Sequence, residues 1–424
     1  MGDMEAKNWG RLIKYHRQRQ GLKQDDVSVG ICTTSYLSRI ENGVVIAESN
    51  VYEMLFARLG IDMIEEKEQL TAKQTFLEKI YEKLLSNEEL KLDEVEMLES
   101  FETVVFRQEL DLLAGLIYGR YLFSINRFEE ARELLAKIDP FVILTQDRVT
   151  QLYIGITTYS NIMYLEFHKI IQREEQYKVG NYMKTASNFE HANYLYHLAF
   201  AYHRTYSFQQ ALSYIEFATQ AFTHLYKPLF QLKLYSMKGV ILNNLHRFKE
   251  ALAEFEAAEE LLRNVETIQS PQQWSSLYNN IAYCYECQGL FKEAISYYEK
   301  ANKYELDSHS IINWMRASYQ RGEIAKLRQL FEIYPLKNFN VLHHQYQWKL
   351  LDYASDGERS LLSLKELEEQ SFPYFEGQEY YSLILYYAPL WAAFYEELHA
   401  YKQASVCYKR ALKASEKVRE RMGK

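Results

Sequence analysis

Between Gly21 and Gly43 the chain gathers side chains able to read the edges of base pairs. Thr33, Thr34, Ser35, Tyr36, Ser38 and Arg39 bring hydroxyls and one guanidinium together, while Leu37 and Ile40 form the apolar, inward-facing pair. Arginine can take guanine in bidentate fashion in the major groove, and serine or threonine can serve either strand. Gln24, at the head of a preceding short helix, is placed for a backbone phosphate. Taken singly, each residue fits a capped surface helix equally well; the array together points to nucleic acid.

Positioning these groups requires a small helical bundle. Residues 8–20 read as an amphipathic helix through Leu12, Ile13 and Tyr15, stopped at Gly21. A short helix starts near Gln24 with Val27 as its apolar contact, and Gly30-Ile31-Cys32 turns the chain. Thr33 or Thr34 caps the next helix, Asn42-Gly43 ends it, and residues 48–59 close the bundle through Val51, Leu55 and Leu59. Lys7, Arg11, Lys14, Arg17, Arg19 and Lys23 cluster as a phosphate-facing patch. Gly21-Leu22-x-Gln24, Ser28, Ser38-x-Ile40-Glu41-x-Gly43 and Leu55-x-x-x-Leu59-Gly60-Ile61 fall in one register. On these residues the segment 7–61 resembles the Xre/Cro-type repressor domain, a helix-turn-helix whose second helix enters the major groove. Lys23 stands where that family usually carries Ser or Thr, which is expected to weaken the start of its helix.

The 424 residues exceed what one core organises, and 48% hydrophobic against 25% charged residues, with 36 Tyr, 22 Phe, 6 Pro and 16 Gly, suits long helices. The net charge of −8 is unevenly spread: residues 1–60 hold eight Lys/Arg against seven Asp/Glu, so the acidic excess lies further on. Four scattered cysteines, Cys32, Cys284, Cys287 and Cys407, fit a reducing compartment better than a disulfide framework. The opening Met1-Gly2-Asp3-Met4-Glu5 lacks a secretion pattern and no apolar run is long enough to span a membrane, so a cytoplasmic location is expected.

Beyond a charged stretch at 62–75 the chain repeats itself. A small residue, then Ala, an aromatic and a further Ala recur in Ala199/Tyr202/Ala211/Ala218, Gly239/Ala251/Phe255/Ala258, Ala282/Tyr285/Ala294/Tyr298/Ala301 and Ala392/Tyr395/Ala404/Tyr408/Ala411, with Gly119/Ala131 weaker and Phe331 degenerate. Marker alanines 131, 211, 251, 294 and 404 are mostly spaced by about 40 residues or twice that, the mark of stacked helical hairpins. Pro140, Pro228, Pro271, Pro335 and Pro373 are expected at or beyond second-helix ends, and Pro389 inside a first helix. Spans 145–185 and 340–372 carry little of the pattern. The array resembles the tetratricopeptide repeat, with helices longer than the common unit. The whole chain then reads as all-α: an N-terminal helix-turn-helix bundle followed by a right-handed tetratricopeptide-repeat superhelix. Its domains are 1–62, a linker helix and connection at 63–104, and a sensing domain at 105–424.

By the repeat consensus, the first helix of each hairpin turns a stripe toward the concave groove. The stripe comprises Arg120 and Phe123; Asn193, Tyr196, Phe200 and His203; Lys233, Ser236, Val240 and Asn243; Ser276, Asn279, Tyr283 and Glu286; and His309, Ile312, Arg316 and Tyr319. Asn244, Asn280 and Asn313 flank it. Amides can pair with a peptide backbone, Arg or Lys can hold a carboxylate, and aromatic walls take apolar side chains. Arg120, Tyr196, His203, Asn243, Asn279, Tyr283, Asn313 and Arg316 are the candidate peptide-binding residues; the plainer reading is a solenoid face that is polar because it is wet.

Cys284-x-x-Cys287 lacks a second ligand pair and reads as helix packing rather than zinc, and His343-His344 as surface or groove lining. No sequence motif for catalysis, metal or cofactor stands out. A repressor-like domain joined to such repeats resembles the peptide-pheromone quorum-sensing transcriptional regulators of Gram-positive bacteria, the RRNPP family of NprR- and PlcR-like proteins. The resemblance implies a double-stranded DNA operator, a short re-imported signalling peptide in the groove, and a homodimer or higher oligomer. An alternative is a response-regulator-binding protein or phosphatase of the Rap type, as sole or second activity, with residues 62–110 as docking helices. A third is a constitutive repressor whose repeats only oligomerise.

Overall fold

The computed structural model describes residues 3–86, 88–101, 109–356 and 360–422, with side chains from Trp9 onward. Among the described residues are 23 α-helices, three short 3-10 turns and no strand. They form two compact units, Met1–Leu165 with Val179–Ala186, and Glu166–Lys178 with Ser187–Lys424. The side chain of Lys7 and the boundary expected at 104–105 lie outside the described residues.

The first unit opens with α1 (Asp3–Arg19), α2 (Gln24–Ser28), α3 (Thr34–Glu41) and α4 (Ser49–Arg58). Trp9, Leu12, Ile13, Val27, Leu37, Ile40, Tyr52, Leu55, Phe56 and Leu59 make one buried core from all four. α1 and α3 cross backbone against backbone: a Cβ on Gly10 would lie 2.0 Å from the carbonyl oxygen of Ile40. Lys23 does not leave α2 uncapped, because its main-chain N–H donates to the Asp26 carboxylate at 2.8 Å, the reciprocal half of a capping box. Thr33, not Thr34, caps α3, its hydroxyl accepting from the Tyr36 N–H at 3.2 Å.

One buried ion pair ties these helices together. Arg17 grips Glu41 through Nε (2.6 Å) and Nη2 (2.8 Å), donates from Nη1 to the Leu22 carbonyl (2.9 Å), and Glu41 also accepts from the Gln24 amide (2.7 Å). The exit of α1, the head of α2 and the end of α3 thus share one carboxylate. Arg17 therefore does not belong to the expected phosphate-facing patch. Its partner lies 24 residues away, beyond what charge clustering along one helix can reveal.

The first unit continues with α5 (Met63–Leu85), α6 (Leu92–Glu99), α7 (Glu109–Ser124), α8 (Phe128–Ile138) and α9 (Arg148–Met163). α10 (Phe167–Tyr177) belongs to the second unit and α11 (Gly180–Met183) to the first. The second unit then runs as hairpins: α12 (Asn188–Arg204) with α13 (Phe208–Phe222), α14 (Pro228–Asn244) with α15 (Phe248–Asn264), α16 (Pro271–Cys287) with α17 (Phe291–Tyr304), and α18 (Ser308–Gln320) with α19 (Ile324–Ile333). It ends with α20 (Leu342–Ser355), α21 (Leu361–Gly377), α22 (Tyr381–Glu397) and α23 (Tyr401–Met422).

A turn finer than the alanine pattern marks the hairpins. Asn126, Leu165, Tyr206, His246, Gly289, Gly322, Glu379 and His399 all adopt positive φ, between 55° and 78°. Two residues later comes Phe128, Phe167, Phe208, Phe248, Phe291, Ile324, Tyr381 or Tyr401, and three further on a buried Ala131, Ile170, Ala211, Ala251, Ala294, Leu327, Ile384 or Ala404. In seven of these turns the residue between donates its N–H back to the carbonyl five residues earlier, as Ser207 does to Tyr202 and Arg247 to Leu242, both at 2.9 Å. This is the Schellman closure, which satisfies helix-end carbonyls and reverses the chain tightly. Small residues then let the paired helices touch: a Cβ on Gly239 would lie 2.5 Å from the Phe255 ring.

Pro140 sits in a 3-10 turn after α8, Pro228 and Pro271 open helices, and Pro335 precedes a 3-10 turn. Pro373 departs from expectation: it lies inside α21, as Pro389 lies inside α22. The turns after α21 and after α22 share the positive-φ form of the hairpin turns.

Glu41→Ala is expected to leave Arg17 buried and uncompensated, costing about 3–5 kcal/mol locally; hydrogen exchange over residues 9–59 should accelerate while the second unit stays protected. Gly239→Val should destabilise the second unit by about 1–3 kcal/mol through overpacking against Phe255, read as a lowered thermal midpoint.

Candidate functional site

On α3, Ser35 and Arg39 are exposed, and Ser38 and Tyr36 are half-buried, Tyr36 resting against the bundle core. Thr33 is exposed but its hydroxyl is engaged in the cap, and the Thr34 hydroxyl donates to the Asp25 carboxylate. Gln24 is half-buried with its amide nitrogen committed to Glu41. Of the seven side chains expected to meet DNA, Ser35 and Arg39 therefore project freely, and the others partly build the helix that presents them. Nearby Lys14 donates to Asn42 at 2.8 Å, at the end of α3. Asp25 places a carboxylate beside its start and Asp26 another at the head of α2, so the face is less positive than the run of basic residues suggested.

In the first unit Arg120 is buried, donates to the Leu84 carbonyl at 3.2 Å and lies 4.0 Å over the Tyr159 ring. Burial without a carboxylate partner pulls its pKa below the ordinary arginine value. It acts there as an internal packing cation rather than an open carboxylate receptor.

In the second unit, Tyr196, Lys233, Ser236, Val240 and Ser276 of the predicted stripe do meet. With Leu232, Met237 and Asn280 they line an open cleft of about 200 Å³ across α12, α14 and α16. The other stripe residues largely pair with each other, from one first helix to the next. The His203 imidazole meets the Asn244 amide at 2.8 Å, and Asn243 reaches the Cys287 sulfur at 3.6 Å. Asn313 donates to Asn279 at 3.3 Å. Arg316 holds Glu286 through two bonds of 2.7 and 2.9 Å, and Glu286 also accepts from the Tyr298 hydroxyl at 2.7 Å. Tyr283 lies under Arg316, with its ring centroid 5.8 Å from the guanidinium. Arg316 is thus already matched to a carboxylate, contrary to the expectation that it awaits one, because neighbouring first helices set their stripe positions side by side.

Burial, then the nearby Arg204 charge, lowers His203 to about 4, so its ring is neutral and can accept from Asn244. His344 is buried rather than lining a surface; it meets Ser308 at 2.9 Å and lies 3.4 Å from the His309 ring nitrogen. Burial lowers His309, His343 and His344 to about 4 as well, leaving a neutral imidazole cluster. Asn244 was expected to flank the stripe, whereas sequence reasoning missed Cys287 and Tyr298 as its partners. Cys287 in particular read as half of a cysteine pair, yet it faces Asn243 while Cys284 is buried.

No family model matches the chain. It is 24% identical over 411 residues to the transcriptional activator NprA of Geobacillus stearothermophilus, spanning 90% of this chain and 96% of that protein. In structure it is similar to a Rap protein complexed with competence and sporulation factor, with a TM-score of 0.65, 16% identity, and 84% and 99% of the two chains covered. It is also similar to NprR in complex with its cognate peptide NprX, with a TM-score of 0.60, 16% identity, and 81% and 99% covered. The chain is thus similar along most of its length to the transcriptional activator NprA, and it shares its helical-repeat fold with Rap and NprR.

Proposed function

We propose that the chain is a DNA-binding transcriptional regulator controlled by a short signalling peptide bound among its tetratricopeptide-like repeats. Residues 1–62 are the DNA-reading unit, 63–104 the connection and 105–424 the sensor. The observation that carries the reading is the presentation of Ser35 and Arg39 on α3, capped by Thr33 and anchored by the Arg17–Glu41 pair. A rigid helix with free polar side chains on its outer face is what base readout needs. The match to a transcriptional activator supports it. NprR, bound to its cognate peptide, supports a peptide as the ligand of the cleft lined by Tyr196, Lys233 and Ser236.

With near-balanced charge over residues 1–60, one reading unit gathers little phosphate affinity. The active species is therefore a homodimer, in which two α3 helices sit about one DNA turn apart. A peptide amide that replaces the Asn313–Asn279 bond or draws Asn243 from Cys287 loosens one first helix from the next, and so biases repeat curvature. Control by peptide requires that the two curvatures bind it unequally. The likeness to a Rap protein keeps a second reading, binding or dephosphorylation of a response regulator; co-purification of a phosphorylated response regulator that loses its phosphoryl group on addition of the chain would favour it.

Arg39→Ala should weaken specific operator binding by roughly 1–3 kcal/mol without shifting the melting of the repeats; an unchanged footprint sinks the assignment of α3. Asn279→Ala should weaken binding of the signalling peptide by about 1 kcal/mol, and calorimetry giving equal affinity would count against the cleft and its flanking amides.

A further inference from the structure

In a stack of helical hairpins each unit touches only its neighbours. The second unit breaks that rule. His168, at the start of α10, meets the Glu379 carboxylate at 3.1 Å across 211 residues of chain. The Tyr206 hydroxyl, from the α12–α13 turn, donates to the Glu379 carbonyl at 3.1 Å and accepts from the Ser382 N–H at 3.3 Å. From α23, Arg421 holds the same carboxylate through bonds of 2.7 and 3.1 Å. The Tyr381 ring lies 5.4 Å from that of Tyr206 and 5.2 Å from the Arg421 guanidinium. Three hairpins and the α20–α21 pair intervene in sequence, and none of them supplies a group to this cluster.

We propose that Glu379, gripped by Arg421 and His168 and seated on Tyr206, is a latch that closes the hairpins of the second unit upon themselves and fixes their curvature. Each joint is individually weak, because the side chains of His168, Glu379 and Arg421 are 64%, 40% and 21% exposed. Together they give the array two discrete states, closed and open, rather than a continuous range of bending. Any occupant of the cleft across α12, α14 and α16 that favours another curvature works against the latch. The Arg421 hydrogen bonds, helped by His168, hold Glu379 at about 2, so it stays ionised through the neutral range and salt is the lever on the closure.

The test uses the full chain with Cys32→Ser and Cys287→Ser, and spin labels on cysteines placed at the exposed Gln209 and Gln378. Pulsed dipolar spectroscopy should give one short, narrow distance at low salt. Raising salt, which needs no destabilising substitution in the latch, should add a longer population. Combining Glu379→Gln with Tyr206→Phe should increase the open population roughly fivefold at low salt, with helicity by circular dichroism retained. A short distance that persists unchanged both at high salt and in the double variant overturns the latch, as does a broad distribution in the unsubstituted chain at low salt.

Discussion

Helices in this protein are held where one of them gives up its side chain. The carbonyl of Ile40 occupies the space that any side chain on Gly10 would need, and the Phe255 ring fills the place of one on Gly239. Ala199, Ala211, Ala282, Ala294, Ala392 and Ala404 are likewise buried to 2% exposure or less. Close backbone approach gives dense contact but leaves no room to absorb an added methyl group, so the angle between paired helices is fixed by sterics rather than by a few bonds. Both the presentation of α3 and the spacing of the repeat stripe follow from that constraint.

Onto this frame the stripe adds a polar layer that is largely satisfied from within. His203 with Asn244, Asn243 with Cys287, Asn279 with Asn313 and Glu286 with Arg316 link successive first helices. Buried polar groups left without partners are costly, so the groove pairs most of its own amides and charges. A ligand there mostly exchanges bonds, while the buried His203 Nδ1 and Asn243 Oδ1 have no partner to give up. Its net gain is set by the difference between the old and new pairings.

Periodicity made the hairpins legible in the sequence, because alanines at helix contacts and aromatics between them recur at nearly constant spacing. The turns were less visible. The left-handed position falls on Asn126, Leu165, Tyr206, His246, Glu379 and His399, where a search for glycine finds only Gly289 and Gly322. The outward residues of α3 could be placed from local spacing, yet which of them stay free depended on partners such as Asp25, and on Glu41 for Gln24. Arg17 and Arg316 looked available for the same reason: their carboxylates are 24 and 30 residues distant, and single-sequence reading has no access to such pairs. Pro373 was misplaced because α21 carries little of the repeat pattern that would have fixed its frame.

The positive-φ turns carry a mechanical consequence. An L-residue other than glycine in that conformation costs about 1 kcal/mol or more, and six of the eight such turns hold one. All but the Gly289 and Gly322 turns are thus elbows under load even in their preferred shape. Compliance is spread over many elbows instead of being concentrated in a single hinge, so once the contacts around Glu379 are released, small tilts at several of them add up to the open state.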